Sequence, residues 1–247
     1  MRLDIYLVLH KQIPTRSKAA DLIRRKLVTV DGVVAKKTGQ EITNQQVDIL
    51  QDILYVGRGA EKMLGAIQHF NLKFQDKVVI DVGSSTGGFT DVALKHGASH
   101  VYAYDVGKDQ LDASLRHHPQ VSVYEETNFL DVTIPQADLM MIDVSFISIK
   151  QILNHIQGFK GEIIGLIKPQ FEGGPKKMKH GVLKEKKAHR KILKDVLSYA
   201  SSLGFSIVGL KKSILKGKKG NQEYMMYIDT HHLQTVNMDT LIGEVTC

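Results

Sequence analysis

The most informative stretch of this 247-residue chain reads Val78-Val-Ile-Asp-Val-Gly-Ser-Ser-Thr-Gly-Gly-Phe-Thr-Asp91. Three apolar residues lead into Asp81, glycines follow at Gly83 and Gly87-Gly88, and a helical pattern begins near Phe89. This order predicts a buried strand, a tight turn and the N-terminus of a helix. In an α/β sheet, such a turn lets a nucleotide-like ligand approach the backbone and meet free N–H groups.

Strand patterns alternate with helix patterns from Tyr55 onward, which predicts a mainly parallel, doubly wound α/β sheet with helices on both faces. The seven strand candidates are Val78–Val82, His100–Tyr104, Val121–Tyr124, Asp138–Val144, Glu162–Ile167, Ser206–Lys212 and Tyr224–Ile228. The helix candidates are Ala60–Phe70, Phe89–His96, Gln110–His117, Ile149–Ile156 and Lys186–Leu203.

The glycine-rich turn does not fit a dinucleotide or a P-loop. The pattern G-x-G-x-x-G would need glycine where this chain has Ser85, and no Gly-Lys-Ser/Thr follows the turn. Asp81 would repel a phosphate but suits an amine or a hydrated cation, and Asp105 can accept from both hydroxyls of a ribose. A ligand with an amino-acid end, a ribose and no phosphate is S-adenosylmethionine, which these residues favour over NAD.

The candidate cofactor contacts lie in the turn and at the ends of the neighbouring strands. Ser84, Ser85 and Thr86 have an alternative role as caps of the following helix. For Thr127-Asn128, expected to border the adenine, the alternative is the capping of a loop. The full set is Asp81, Gly83, Ser84, Ser85, Thr86, Gly87, Gly88, Phe89, Asp105, Val106, Thr127, Asn128 and Asp143.

The first fifty residues have a different pattern. A helix is predicted over Arg2–His10, and Ser17 is positioned to cap a second helix over Lys18–Lys26. A hairpin is predicted around Asp31-Gly32 and a last strand over Val47–Leu50. This order resembles the S4 RNA-binding domain, whose basic helix lies against RNA phosphates; without the resemblance, the cations are a solvated face. The candidate RNA contacts are Arg16, Lys18, Arg24, Arg25, Lys26, Lys36 and Lys37.

The charge distribution also suggests a polyanion. The formal net charge is +7, made of +4 in residues 1–50, +12 in residues 176–219 and −9 in the remainder. Two separated basic regions are typical of a nucleic acid held at two places, although Lys-rich helices are often only soluble faces.

Several classes of protein are disfavoured by the composition. The only cysteine is Cys247, so a disulfide framework and a cysteine metal cluster are excluded, and no metal site is expected. Apolar runs such as Leu139–Ile142 are far shorter than a membrane span, and the start of the chain lacks the apolar segment of a signal peptide. We expect a cytoplasmic protein.

Further motifs sharpen the functional prediction. Asp143 and Ser145 lie in Ile-Asp-Val-Ser-Phe-Ile-Ser, Lys168 begins Lys-Pro-Gln-Phe-Glu, and Glu223 lies just before the last strand. With Arg58-Gly-Ala-Glu-Lys62 and the turn after Asp81, this order resembles the TlyA family. That family consists of S4-linked, FtsJ-like ribosomal RNA 2′-O-methyltransferases with a Rossmann-like class I methyltransferase domain, often labelled haemolysins.

The resemblance implies a catalytic tetrad of Lys62, Asp143, Lys168 and Glu223. A ribose hydroxyl needs a base to become nucleophilic, for which Lys168 is the candidate, while the carboxylates orient the two lysines. It also implies an antiparallel last strand that brings Glu223 to the same edge, and a cytidine of 23S and possibly 16S rRNA as the target.

Other interpretations of the same residues stay open at this point. Each tetrad residue alone has a structural explanation, such as an ion pair at the sheet edge for Asp143 and Lys168. The chain as a whole could be a catalytically silent ribosome-assembly factor, or a haemolysin. We expect an S4-like domain over residues 1–51, a linker over 52–57, the methyltransferase domain over 58–232 and a tail over 233–247.

Overall fold

The computed structural model describes residues 1–11, 13, 15–50, 55–173, 182–217, 219–231 and 236–246. The chain forms two compact units, Met1–Leu54 and Tyr55–Cys247. Each is described separately below.

The first unit packs two helices on a small antiparallel sheet. Its core contains Leu3, Leu7, Leu22, Ile23 and Val28, all buried. The elements are α1 (Leu3–His10), α2 (Arg16–Arg24), β1 (Val28–Val30), β2 (Val33–Val34) and β3 (Val47–Ile49), with the strand order β2-β1-β3.

Two local features of this unit can be compared with the sequence prediction. The hairpin between β1 and β2 turns at Asp31 and Gly32, both with positive φ, as the Asp-Gly pair predicts. The second helix begins earlier than predicted because Thr15, rather than Ser17, caps it by accepting a hydrogen bond from the Lys18 N–H.

The second unit is built on a seven-stranded sheet with the order β6-β5-β4-β7-β8-β10-β9. β4 to β8 are parallel where they pair, and β10 runs antiparallel to both β8 and β9. The strands are β4 (Val78–Val82), β5 (His100–Tyr104), β6 (Val121–Tyr124), β7 (Leu139–Ile142), β8 (Glu162–Ile167), β9 (Ile207–Lys212) and β10 (Tyr224–Asp229).

Helices cover both faces of this sheet, because buried residues alternate between the faces along each strand. Val79 of β4 packs with α3 and α4, whereas Ile80 belongs to the core formed with α6, α8 and α9. The helices are α3 (Gly59–Phe70), α4 (Gly88–Lys95), α5 (Ala113–Arg116), α6 (Ile149–His155), α7 (Pro169–Glu172), α8 (Lys186–Ser202) and α9 (Met238–Thr246), with a 3₁₀ turn at Phe129–Asp131.

Two segments differ from the sequence prediction. The helix predicted over Gln110–His117 covers only Ala113–Arg116, because the backbone N–H groups of residues 109–111 donate to the Glu125 carboxylate instead. The predicted C-terminal tail contains α9, whose Leu241, Ile242 and Val245 lie in the core.

The direction of β10 determines which residues meet at the edge of the sheet. Parallel strands put their carboxyl ends on one edge, and an antiparallel strand begins there. Tyr224, the first residue of β10, pairs with Ile167, the last residue of β8. The residues just outside these two, Glu223 and Lys168, are therefore neighbours. In the part of the chain that the structure describes, no helix is long and apolar enough to cross a membrane.

Candidate active site

The four residues of the expected tetrad meet at this edge. Asp143 follows β7, Lys168 follows β8, Glu223 precedes β10, and Lys62 lies near the start of α3. Lys62 Nζ is 2.7 Å from Glu223 Oε2 and 3.8 Å from Asp143 Oδ2, and Lys168 Nζ is 2.6 Å from Asp143 Oδ1. The structure thus brings all four side chains into one row of alternating charge.

The row is largely shielded from solvent. The exposed fractions of the side chains are 13% for Lys62, 20% for Asp143, 8% for Lys168 and 3% for Glu223. Two positive and two negative charges balance, so the low local dielectric strengthens their attraction without leaving a net buried charge. This arrangement can hold a lysine amine in one position at the sheet edge.

Ser145 and Gln170 also contact the tetrad, although only Ser145 was noted in the sequence. Lys168 Nζ donates to Ser145 Oγ at 2.8 Å and to the backbone oxygen of Asp143 at 3.3 Å. Gln170 Nε2 donates to Glu223 Oε1 at 3.1 Å. The sequence feature that could have pointed to Gln170 as a tetrad contact is its position in the motif that begins with Lys168.

Phe146 is a further residue that the sequence analysis did not assign. Its side chain is 88% exposed, its φ is +71°, and its ring centroid lies 5.4 Å from that of Phe171. A large exposed ring in the left-handed region is unusual, because both the exposure and the backbone conformation are unfavourable. The Phe171 ring in turn lies 5.9 Å from Lys168 Nζ, so the pair of rings connects the exposed loop to the tetrad.

The loop that carries Phe146 is tied to α7 by Glu172. The Glu172 carboxylate accepts from the backbone N–H of Ile149 at 2.8 Å and from the Ser148 hydroxyl. Burial raises the pKa of Glu172, and the two hydrogen bonds oppose that rise. The carboxylate therefore holds the β7–α6 loop against the segment that follows Lys168.

Asp81 is the strongest indication of a cofactor amine. Its side chain is fully buried, Oδ2 accepts from the Thr90 hydroxyl at 2.6 Å, and Oδ1 has no hydrogen-bond partner among the described residues. Burial, with a smaller contribution from the negative charges of Asp143 and Asp105, raises the pKa of Asp81 to about 7, although hydrogen bonding to Thr90 opposes the rise. A buried carboxylate oxygen without a donor fits the ammonium group of S-adenosylmethionine.

The glycine-rich turn brings this site next to the tetrad. Gly83 has φ +84°, and a Cβ at this position would lie 2.8 Å from the backbone oxygen of Asp143, so only glycine fits. The N-cap of α4 is Gly87, without a side-chain cap, so the alternative capping role of Ser84, Ser85 and Thr86 is not observed.

Asp105, the predicted ribose contact, directly follows β5 and is held by two backbone N–H groups. Its Oδ2 accepts from the Ser85 N–H at 2.8 Å and its Oδ1 from the Gly107 N–H at 2.7 Å. Each carboxylate oxygen can accept a second hydrogen bond, so Asp105 is held in place and can still accept from two ribose hydroxyls.

The remaining cofactor candidates are more peripheral. Val106 is 74% exposed beside Asp105. Thr127 donates to the backbone oxygen of Glu125, and Asn128 caps the following 3₁₀ turn through the Leu130 N–H. The structure therefore shows the capping role for Asn128, and contact of this pair with an adenine stays a prediction.

In the first unit, most of the candidate RNA contacts lie on the surface. Arg16, Arg24, Lys26, Lys36 and Lys37 are exposed, and Lys18 is half-buried.

Arg25 is the exception, because its side chain is only 5% exposed and lies 3.7 Å from Asp21. Its buried side chain distinguishes it from the other candidates, and its assignment as an RNA contact stays a prediction.

Comparisons with known proteins give matches in both units of the chain. The FtsJ-like methyltransferase family matches residues 55–230, and the S4 domain matches residues 1–47. The chain is 37% identical to the 16S/23S rRNA (cytidine-2′-O)-methyltransferase TlyA of Mycobacterium tuberculosis, covering 93% of this chain and 90% of the relative. It is 37% identical to Hemolysin A of Brachyspira hyodysenteriae, covering 92% and 99%.

A solved structure from Streptococcus thermophilus, labelled a haemolysin, has a similar fold. The TM-score is 0.74 at 33% sequence identity, and the match covers 99% of this chain and 94% of that one.

Proposed function

The chain belongs to the FtsJ-like methyltransferase family, in the group that carries an S4 domain and includes TlyA, and from this premise we propose its reaction. It transfers a methyl group from S-adenosylmethionine to the ribose 2′-hydroxyl of a cytidine in ribosomal RNA. The observation that carries this proposal is the contact between the two halves of the site. Gly83 of the turn lies against the backbone of Asp143, a member of the tetrad.

Binding of the methyl donor is assigned to three groups. Asp81 Oδ1, which has no partner among the described residues, would accept from the donor's ammonium group, and Asp105 would accept from its ribose hydroxyls. The third is Gly83, whose missing Cβ lets the turn pack against the backbone of Asp143, so that a donor bound along the turn would lie next to the tetrad. S-adenosylmethionine supplies a methyl group on a sulfonium, which is transferred without a metal ion.

Activation of the acceptor is assigned to the tetrad. In its uncharged form, Lys168 takes the proton of the 2′-hydroxyl as the oxygen forms its bond to the methyl group and the carbon–sulfur bond breaks. Asp143 and Ser145 fix the position of the Lys168 amine. Glu223, held by Gln170, fixes Lys62, which adds a second positive charge near the developing alkoxide.

The partner is proposed to be ribosomal RNA. The S4 unit presents exposed cations for phosphate contacts, and Phe146 presents a ring on which an unstacked base can lie. Among relatives, the name of the Mycobacterium tuberculosis protein gives both 16S and 23S rRNA, and that of the Campylobacter jejuni protein gives 23S rRNA. We propose 23S rRNA as the first substrate to examine, and a cytoplasmic location.

The test uses purified protein with methyl-labelled S-adenosylmethionine and, separately, intact ribosomes, isolated subunits and deproteinised rRNA. The modified nucleotide is mapped by mass spectrometry, and a 2′-O-methylcytidine is expected. Labelled RNA that carries the methyl group on a base would overturn the tetrad assignment. Absence of label in every substrate, with normal cofactor binding, would favour a silent ribosome-assembly factor. Cofactor-independent lysis of liposomes by the purified protein would favour a haemolysin.

A further inference from the structure

Helix α8 carries a row of cations on its solvent side that the proposed reaction does not use. Lys187, Arg190, Lys191 and Lys194 are exposed and follow the spacing i, i+3, i+4, i+7, so they share one face of the helix. The opposite face is buried in the core. The row spans about 10 Å along the helix axis, given a rise of about 1.5 Å per residue.

The row is not neutralised by acidic neighbours. In the described part of the chain, Lys187 and Lys191 have no ion pair, and Lys184 and Lys186 at the start of the helix have none either. The ion pair of Lys194 with Asp239 has both side chains well exposed, which makes it weak.

Of the other acidic groups on α8 and α9, Glu185 is the N-cap residue of α8, two positions before Lys187, and two more are engaged in ion pairs. Asp195 pairs with Lys150 of α6, and Glu244 pairs with Lys211 of β9.

A groove between α8 and α9 accompanies this row. It has a volume of about 450 Å³ and is lined by Arg190, Lys191 and Lys194 on one side and by Asp239, Ile242 and Gly243 on the other. Arg190 is oriented by a hydrogen bond from its Nε to Thr246 Oγ1 at 2.8 Å, which leaves its terminal N–H groups for a ligand.

The groove belongs to the same part of the unit as the tetrad. The His189 side chain of α8 forms a hydrogen bond with the hydroxyl of Tyr224, the residue after Glu223. Asn221, two residues before Glu223, accepts from the Leu183 N–H just before α8. An RNA whose ribose reaches Lys168 therefore has a cationic surface close to its path.

We propose that this groove and the exposed face of α8 bind the phosphate backbone of the substrate RNA. The proposal rests on the proposed function, since that function supplies the RNA. Cations spaced along one helix face suit the repeated charges of a polyanion, and such contacts position an RNA without reading its bases. A membrane surface is less suitable, because the apolar residues Leu241, Ile242 and Val245 of α9 are buried.

The test compares two double variants of the full chain that remove equal charge. Lys187→Glu/Lys191→Glu alters the proposed surface. Lys73→Glu/Lys160→Glu alters two exposed lysines in the segments before β4 and β8, at the opposite edge of the sheet. Binding of fluorescently labelled, deproteinised 23S rRNA is measured at several KCl concentrations, without S-adenosylmethionine.

Lys187→Glu/Lys191→Glu should weaken RNA binding about 10-fold and lower the slope of log K against log[KCl] by about 1–2, which corresponds to about two phosphate contacts. The control pair should bind within about 2-fold of the wild type. Lys187→Gln/Lys191→Gln should have an RNA affinity between those of these two variants. Equal losses in both pairs would overturn the proposal, because net charge alone would explain them, and so would wild-type binding by the first pair.

Two parallel measurements separate this proposal from the function itself. If the wild type binds RNA through this surface but never methylates it, the proposed reaction is wrong, whereas the assignment of this surface to RNA binding is supported. If the first pair loses binding to anionic phosphatidylglycerol vesicles but not to RNA, the assignment of RNA to this surface is wrong. Affinity for S-adenosylmethionine should be the same in all variants.

Discussion

Lys62 Nζ lies 2.7 Å from Glu223 Oε2, although 161 positions separate the two residues along the chain. Both side chains are nearly buried. Loss of the Glu223 charge leaves the Lys62 ammonium with only the more distant Asp143 carboxylate, at 3.8 Å, and breaking a buried pair costs about 3–5 kcal/mol. We expect Glu223→Gln to lower the free energy of unfolding by about 3 kcal/mol, measured by urea denaturation.

A double-mutant cycle checks that this loss comes from the pair itself. Lys62→Met/Glu223→Gln should be more stable than the sum of the single variants predicts, with a coupling energy of about 0.5–3 kcal/mol. Additive losses would show that the contact contributes no net stability. All three variants should be impaired in methyl transfer.

Lys168 is the proposed base, so its amine and not only its charge should matter. Lys168→Met should lower the single-turnover rate at least about 100-fold, which is the lower range for general acid–base catalysis. Lys168→Arg keeps a positive charge beside Asp143 but does not release its proton, so it should be equally slow. Lys73→Met, at an exposed position on the opposite edge, should react at the wild-type rate. Full activity in either Lys168 variant would refute its assignment as the base.

Asp81 should make the cofactor-free protein less stable as pH rises from about 4 to 7. Burial raises the pKa of Asp81 to about 7, above the 3.8 of an unperturbed group. In that window the folded state binds more protons at this group than the unfolded state, so the free energy of unfolding falls with increasing pH. Asp81→Asn should remove this part of the pH dependence, measured by urea denaturation from pH 4 to pH 8.

The same carboxylate should make cofactor binding depend on pH. The ammonium of S-adenosylmethionine needs the ionised form of Asp81, so affinity should rise with pH through about 7 in the wild type. Asp81→Asn should bind more weakly and show no such rise in calorimetric titrations. An identical pH profile for both proteins would contradict the assignment of Asp81 to the ammonium.

Phe146 should contribute to RNA methylation without affecting the methyl donor. Base–aromatic stacking is worth about 1–3 kcal/mol, so Phe146→Ala should lower kcat/KM for rRNA by about 5- to 150-fold. Phe146→Tyr keeps the ring and should stay close to the wild type. If Phe146→Ala also weakens S-adenosylmethionine binding, the effect comes from disturbed folding of the loop instead.

Glu172 should act through the loop that carries Phe146. Glu172→Ala leaves the Ile149 N–H and the Ser148 hydroxyl without their acceptor, at a cost of about 1–3 kcal/mol. The rate of methyl transfer should fall together with the stability of Glu172→Ala. Glu172→Gln should restore part of both the stability and the rate, because its amide oxygen can still accept a hydrogen bond. Full stability of Glu172→Ala with normal activity would exclude a positioning role.

Local sequence features predict much of this fold because their interactions are short in range. The strand, turn and helix from Val78 to Asp91 follow from apolar periodicity and from glycines where the backbone needs positive φ. The hairpin at Asp31-Gly32 follows in the same way. The order of the motifs also predicted the four tetrad residues, but only through the resemblance of the chain to the TlyA family.

Tertiary structure determined which of those side chains come into contact and which are buried. Glu223 meets Lys62 because antiparallel β10 begins at the edge where β7 and β8 end, a matter of strand order that no local pattern contains. The side chain of Arg25 is buried and that of Phe146 is exposed, opposite to what their polarity suggests, because exposure depends on how the whole chain packs.

The sequence by itself therefore determined the elements, the glycine-rich turn and the types of chemical group. Only the folded chain determined that Asp81 is fully buried, with one oxygen that has no hydrogen-bond partner among the described residues, and that the cations of α8 face solvent beside a groove. The physical reason is that hydrogen bonds within turns and helices connect near neighbours, whereas burial and charge pairing depend on residues distant along the chain.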